Sequence, residues 1–373
     1  MKINVDTLQK KQKQDNSLSL DFSFNKIIKP LNNKRKHEFY REFSTLLKSG
    51  VDFNQALSIL TEQQKNKAVK NIYRNINNNV VKGKSLFETL KEDNSFSPYE
   101  YYSVKIGEET KRLPEIFDQL QKFFERKIKT KRQITSVLTY PIFVLVITFG
   151  VLYFMLNYVV PMFSKVFMQF GKKLPEITQL VVKLSKNFNS VFLIFLLVII
   201  SIILLHKYLK KYASYKLMFS RFLIKIPFFG PLIKKIQIAR FCQSLSLLLS
   251  AKTPLVTSLD LLEKMITFYP LKYAIKESKR DILKGETFAN SLNKHEIFPT
   301  KLLTLTKIGE DINKLDEVYD GLSSQYNEEI DHSTKIIGTI LEPMMIIIIG
   351  GVVGFIMIAM YSPLFGLSEI LEK

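Results

Sequence analysis

The chain has no tryptophan and a single cysteine, Cys242, which excludes a disulfide framework and a cysteine-based metal cluster. Its four histidines, His37, His206, His295 and His332, are scattered and form no ligand pair at helical spacing. Acidic residues are the scarcer charge: 34 Asp plus Glu stand against 54 Lys plus Arg, giving +20 over 373 residues. Met1–Asn33 lacks the apolar core of a secretory signal, and no stretch alternates strongly enough to read as a strand. What the chain does have is segregated. Its 46% hydrophobic residues are pooled in three blocks, Val137–Val160, Val191–Leu205 and Ile336–Met360, with charge between them. That pattern excludes one ordinary soluble globule, and the 12% aromatic content excludes a disordered polyelectrolyte.

A helix needs about 20 apolar residues to cross the hydrocarbon core. No charge occurs between Arg132 and Lys165. Lys186 and Lys207 bracket a second uncharged stretch, and the third, Ile336 to Leu367, is interrupted only by Glu342. Three transmembrane helices are predicted. Orientation follows from nearby basic residues. Arg126, Lys127, Lys129, Lys131 and Arg132 precede the first span, Lys207, Lys210, Lys211 and Lys216 follow the second, and only Lys373 follows the third. The N-terminus is expected inside, although five lysines in the outer loop weaken the bias. The positive charge then lies beside anionic lipid, with 27 basic residues in 1–136 and 21 in 206–335. No nucleic-acid motif accompanies it, and no nucleic-acid partner is predicted.

Self-comparison reveals an internal repeat at a shift of 202 residues, with 22 identities and no gap between positions 39 and 141. Phe39, Ser44, Leu46 and Leu47 meet Phe241, Ser246, Leu248 and Leu249; Lys105-Ile106-Gly107-Glu108 meets Lys307-Ile308-Gly309-Glu310; Pro141 meets Pro343. Each copy is a soluble segment followed by a span, and the extra second span returns the chain to its starting side. The copies are therefore parallel repeats, unlike the inverted repeats of many transporters. Within each copy the apolar spacing is helical. Gly50 and Gly83 suit helix stops, Asp52 and Ser85 suit caps, and Ser97-Pro98 and Thr253-Pro254 place a capping hydroxyl before a proline at the first helical position.

The predicted fold is all-α: an integral membrane protein with two tandem homologous cytoplasmic helical bundles and three transmembrane helices. Its segments are a polar tail (1–33), a first cytoplasmic domain (34–136), span 1 (137–160), an external loop (161–190), the core of span 2 (191–205), a second cytoplasmic domain (206–335), span 3 (336–360) and a short external tail (361–373).

This arrangement resembles the type II secretion F / type IV pilus inner-membrane platform family over about Lys36 to Leu371. The marks are Leu46-Leu47-Lys48-Ser49-Gly50-Val51, the Gly-Glu pairs Gly107-Glu108 and Gly309-Glu310, Tyr140-Pro141, Val159-Val160-Pro161-Met162-Phe163, Leu174-Pro175-Glu176-Ile177-Thr178 and Glu342-Pro343. Where the family often has a second glycine after the Gly-Glu pair, this chain has Lys111 and Asn313. Asn tolerates a left-handed backbone better than Lys, so the turn in the first copy is expected to differ. The resemblance implies a non-enzymatic adaptor in a multi-component inner-membrane machine. Its implied partners are a cytoplasmic hexameric assembly ATPase, pilin-like or pseudopilin subunits, other machine components, the phospholipid bilayer and further copies of itself. No cofactor is implied, ATP being expected only on the partner ATPase. The competing reading is a small membrane transporter with cytoplasmic gating domains. Three spans, few intramembrane polar groups and parallel repeats count against it.

No catalytic constellation emerges. Lys82-Gly83-Lys84-Ser85 contains the end of a phosphate loop, but Asn78 replaces its first glycine and no strand precedes it. Cys242, between Phe241 and Leu245, reads as a small buried hydrophobe. The acidic residues Glu108, Glu115 and Asp118 recur as Glu310, Glu317 and Asp320. They suit solvated helix N-termini, a docking surface for basic partner patches, or a divalent-cation site; docking is the working expectation. Glu342, whose counterpart is Tyr140, sits with Pro343 at the inner end of a span as Tyr140 does with Pro141. It suits either an interfacial carboxylate reaching the cytoplasm or an intramembrane contact within the machine. Gly350 and Gly354 form a GxxxG pair expected to pack against a helix. The topology is directly testable: a reporter fused near Asn187 should be exposed outside and one at Lys252 inside, and the reverse labelling would overturn the orientation.

Overall fold

The computed structural model describes residues 31–162, 165, 176–209 and 212–371. All but the last three residues of the expected polar tail, and most of 163–175, lie outside the described residues. The first copy comprises α1 (Asn33–Lys48), α2 (Phe53–Gln63), α3 (Lys67–Val81), α4 (Leu86–Glu92), α5 (Pro98–Glu109) and α6 (Leu113–Phe154). The last passes into a π-helical turn, Met155–Val159. Next come α7 (Glu176–Leu209) and α8 (Ala213–Lys225). The second copy comprises α9 (Phe229–Ser250), α10 (Leu255–Met265), α11 (Tyr269–Leu283), α12 (Phe288–Asn293), α13 (Thr300–Asp311) and α14 (Leu315–Leu371). The helices α10, α11, α13 and α14 each begin 202 residues after α2, α3, α5 and α6.

Local chemistry places these ends. Asn32, Asp52 and Asn66 accept backbone N–H groups at the starts of α1, α2 and α3, and Ser85 Oγ accepts Glu88 N–H at 3.1 Å. Left-handed residues close the helices in repeat-related pairs: Gly83 and Gly285 at φ 86 and 94°, Lys111 and Asn313 both at 56°. The α5–α6 turn therefore does not differ between copies as the sequence suggested. Arg112 N–H donates to Gly107 C=O, and Lys314 N–H to Gly309 C=O, both at 2.9 Å. This shared hydrogen bond holds Lys111 in the conformation Asn adopts more readily. Thr253 does not cap α10. Pro254 takes the N-cap place of Asp52 with no side-chain bond, because α10 keeps the repeat register.

The boundaries drawn at 136/137 and 335/336 fall inside single helices: α6 and α14 run without a break from the soluble units into the apolar spans. The segment 176–190, expected as external loop, already belongs to α7, and α14 continues through 361–371 where a tail was expected. α1 lies antiparallel to α6: Ser44 Oγ donates to Pro114 C=O at 3.0 Å, whereas the Lys36 ammonium lies 5.5 Å from the Phe124 ring centre. The start of α1 therefore faces the membrane. α9 repeats this against α14. The soluble units share one continuous apolar core, in which Phe43 stacks on Phe117 at 4.7 Å and Tyr40 on Phe124 at 5.7 Å. Each such fully buried side chain stabilises the fold by about 1.5–3 kcal/mol. Beyond that core, Ile142, Phe143, Leu193, Leu204 and Ile347 are exposed on three helices long and apolar enough to cross a bilayer. At their far ends Val160, Val181, Ile356 and Ala359 pack together, and Ser185 Oγ donates to Leu156 C=O in the π turn.

The polar group at the centre of the first copy is absent from the second. Glu100 is fully buried and accepts from Lys36 Nζ at 2.6 Å, Tyr40 Oη at 3.0 Å, and Ser97 N and Oγ at 2.7 Å. Burial and the adjacent carboxylate push the Tyr40 phenol well above its ordinary pKa. At the repeat-related positions stand Ile238, Cys242 and Leu302, all buried. A buried ion pair is costly to break from one side and often replaceable whole by apolar residues. Lys36→Met in the full chain in detergent should lower unfolding stability by about 3–5 kcal/mol. The triple change Lys36→Ile, Tyr40→Cys, Glu100→Leu should recover most of it. An unchanged thermal midpoint for Lys36→Met would remove the ion pair from this account.

Candidate functional site

The Gly-Glu pairs have the same geometry twice. A Cβ on Gly107 would stand 2.9 Å from a Leu113 methyl, and one on Gly309 2.9 Å from a Val318 methyl. Each glycine thus lets α5 or α13 pack directly on the first turn of the helix that becomes a span. The adjoining carboxylate reaches sideways to a different helix. Glu108 accepts the N–H groups of Leu86 and Phe87 at 2.7 and 3.0 Å, and Glu310 those of Phe288 and Ala289 at the same distances. Two orphan amides and the positive end of a short helix are satisfied by one charge. The pair therefore fastens three helices at one corner in each copy.

The other acidic residues lie at the membrane-distal starts of α6 and α14. Glu115 and Asp320 are exposed. Asp118 pairs with Lys122 at 2.9 Å and Lys48 at 3.2 Å. Burial raises its pKa, but the two ammonium groups outweigh this and bring the carboxyl below its usual range. Glu317 accepts from Lys314 at 3.0 Å. Among the described residues no group of three His, Cys, Asp or Glu side chains is placed to hold a metal.

At the ends of the spans that join the helical units, α6 and α14 run side by side in repeat register. Lys129 meets Asp331, its own counterpart, at 2.5 Å; Arg126 donates to Ser323 Oγ at 3.1 Å. A Cβ on Gly338 would stand 3.3 Å from the Val137 methyls. Just beyond, Tyr140, Pro141 and Glu342 line one open cleft of about 300 Å³ with Val137 and Gly338. The structure thus unites residues singled out separately from each copy; Pro343 is exposed beside them. Within this chain a Cβ on Gly350 or Gly354 would meet no atom within 4 Å among the described residues, and the chain's own close helix approach lies at Gly338.

Sequence reasoning missed Lys36–Glu100, Gly338 and the Lys129–Asp331 pair. Only the last carried a signal, since opposite charges occupy one repeat position. Lys82-Gly83-Lys84-Ser85 is the stop of α3 and the cap of α4, and burial pushes the Cys242 thiol well above its usual pKa.

A duplicated helical unit whose last helix becomes a span in each copy, with a third span between, defines a multi-pass membrane protein built as a scaffold. The chain matches the family model of protein F of the type II secretion system twice, over residues 39–161 and 241–363, which are themselves 202 residues apart. It is 31% identical over 337 residues to the type IV pilus assembly protein PilC of Pseudomonas aeruginosa, covering 89% of each chain. It is 29% identical to that of Thermus thermophilus over 88% of this chain and 81% of the relative. With the type II secretion system protein F of Pseudomonas aeruginosa it shares 23% identity, over 88% and 82%. The chain belongs to the type II secretion system protein F family and is an inner-membrane protein.

Because the glycine contact is tight and the carboxylate serves two amides, both should be sensitive. Gly309→Ala should cost about 1–3 kcal/mol by overpacking and Glu310→Ala about 1–2 kcal/mol by uncapping α12, measured by unfolding of the full chain. In dilute detergent, where chains are separated, Gly350→Ala should leave stability unchanged; an equal loss at all three positions there would sink the close-packing argument.

Proposed function

We propose that this chain is the inner-membrane platform of a type II secretion or type IV pilus-like machine, coupling a cytoplasmic hexameric assembly ATPase to the extraction and polymerisation of pilin or pseudopilin subunits. The observation that supports this reading is the continuity of α6 and α14, each running from a packed helical core into a span as one unbroken helix. The names of its relatives, assembly proteins of pili and a secretion component, agree. In this reading the N-terminus is cytoplasmic and the C-terminus external. The platform catalyses nothing itself, needs no cofactor, binds no nucleic acid, and ATP is turned over by the partner. Carboxylates at the membrane-distal helix starts, Glu115 and Asp118 with Glu317 and Asp320, receive basic patches of the ATPase or another subunit. The cleft at Tyr140, Pro141, Glu342 and Pro343 offers a carboxylate to another span of the machine, such as the positively charged start of a pilin helix. The open Gly350/Gly354 face receives a helix of a second copy.

Crosslinking in intact membranes, followed by purification of this chain, should recover a hexameric ATPase together with pilin-like subunits. Recovery of neither from correctly inserted protein would withdraw the function and leave the fold standing. The double reversal Glu115→Lys, Asp118→Lys should abolish recovery of the ATPase while membrane insertion persists. Undiminished recovery would move docking elsewhere.

A further inference from the structure

The membrane-proximal ends of α1, α6, α9 and α14 enclose a cleft of about 310 Å³. Four cations line it, Arg126, Lys127 and Lys131 from α6 and Arg240 from α9, and no carboxylate does. This is not the general basicity of the chain. The repeat positions of Arg126, Lys127 and Lys131 on α14 are Glu328, Glu329 and Ser333, so the sign of charge is specific to one wall. The nearby acids are engaged outside the cleft: Asp331 holds Lys129, and Glu329 holds Lys235 at 3.2 Å. Arg126, Lys131 and Arg240 make no ion pair among the described residues. Arg240 is half-buried, and burial alone lowers its pKa from the ordinary value. A cation partly held out of water without a counter-ion, as Arg126 and Arg240 are, is costly, and the exposed Lys131 beside them adds to a positive field that attracts an anion.

We infer that this cleft binds the phosphate headgroup of an anionic phospholipid from the cytoplasmic leaflet. Two features favour a lipid over a free phosphate. The cleft is amphiphilic: Phe123, Ile134, Ile236 and Ile330 line it between the cations, while Asn33, Gln243 and Asn327 supply neutral donors. Its upper rim also lies near the bilayer surface, although Arg126 and Lys127 stand about 17 and 15 Å before the span. Thr135 and Lys131 precede the start of span 1 at Val137 by two and six residues, about 3 and 9 Å along the helix, and the headgroup layer is roughly 5–8 Å thick per leaflet. Arginine and lysine pockets between helices on the cytoplasmic side suit such headgroups. A lipid seated there touches both copies, and so ties the two soluble units to each other and to the bilayer at once. Such a site goes beyond the platform reading and does not depend on which machine the chain serves.

The test is native mass spectrometry of the full chain released from nanodiscs of mixed phosphatidylglycerol and phosphatidylcholine. Wild-type protein should retain phosphatidylglycerol selectively. Arg240→Gln and Lys131→Gln should each weaken retention about ten-fold, and Lys276→Gln, an exposed change of equal charge on α11, should not. Lys131 is exposed, so its variant guards against misfolding at Arg240. Equal weakening by Lys276→Gln, or no preference for the anionic lipid, would overturn the proposal. Inorganic phosphate at millimolar concentration provides the second arm: binding of phosphate to protein in pure phosphatidylcholine nanodiscs, lost in Arg240→Gln, without retention of phosphatidylglycerol, would assign the cleft to a soluble anion and overturn the lipid.

Discussion

A helix that is both the last element of a soluble core and a membrane span cannot be oriented by either environment alone. α6 and α14 carry this constraint twice, and the rest of the molecule is arranged around it. From Leu113 to Val137, α6 extends through the first helical unit for about 36 Å at 1.5 Å per residue. Its direction is set by what holds that lower part. α1 lies along it antiparallel through stacked aromatic rings, and α5 presses on its first turn through the missing side chain of Gly107. The second copy repeats these supports at Gly309. The Lys129–Asp331 and Val137–Gly338 contacts then fix the two long helices to each other.

Divergence between the copies falls where they have different neighbours. The corner built by the Gly-Glu pair, internal to each unit, keeps the same hydrogen-bond distances in both. The centre of each unit is instead solved in two ways, by an ion pair in one and by Ile238, Cys242 and Leu302 in the other. The surfaces differ further. α5 packs on α9 and α10, and Ile106 is 1% exposed, whereas its counterpart Ile308 on α13 is 47% exposed. The copies thus meet through unlike faces, and the unit facing outward keeps an apolar face the other has covered.

Most of the architecture is legible in the sequence because duplication converts weak local signals into paired ones. A glycine after an apolar run suggests a helix end; the same glycine at Gly83 and Gly285 makes the suggestion firm, and both are left-handed. Parity of the spans then places both soluble units on one side. What escapes lacks a partner in the repeat. Lys36 and Glu100 are 64 residues apart and their counterparts are apolar, so no pattern announces a buried ion pair. Gly338 lies outside the familiar GxxxG spacing, and spacing states which glycines share a face but not whether another helix of the chain reaches it. The Gly-Glu carboxylates look like surface charge in the sequence. Their capping of α4 and α12 depends on a tertiary contact 22 residues away.

The passage from helical unit to span is marked by proline in both copies. Pro141 lacks the N–H that would donate to Val137 C=O, and Pro343 the one for Thr339 C=O, so each helix is weakest where its unit meets the bilayer. In the same turn a Cβ on Gly338 would stand 3.3 Å from the Val137 methyls, so the glycine is what lets the helices approach. The two long helices are hence clamped together where each is most easily bent. Tyr140 and Glu342, one residue before each proline, occupy the cleft beside this clamp. A group that entered the cleft would meet both prolines' turns and the carboxylate together, which gives Glu342 neighbours from both copies rather than a place on a bare span.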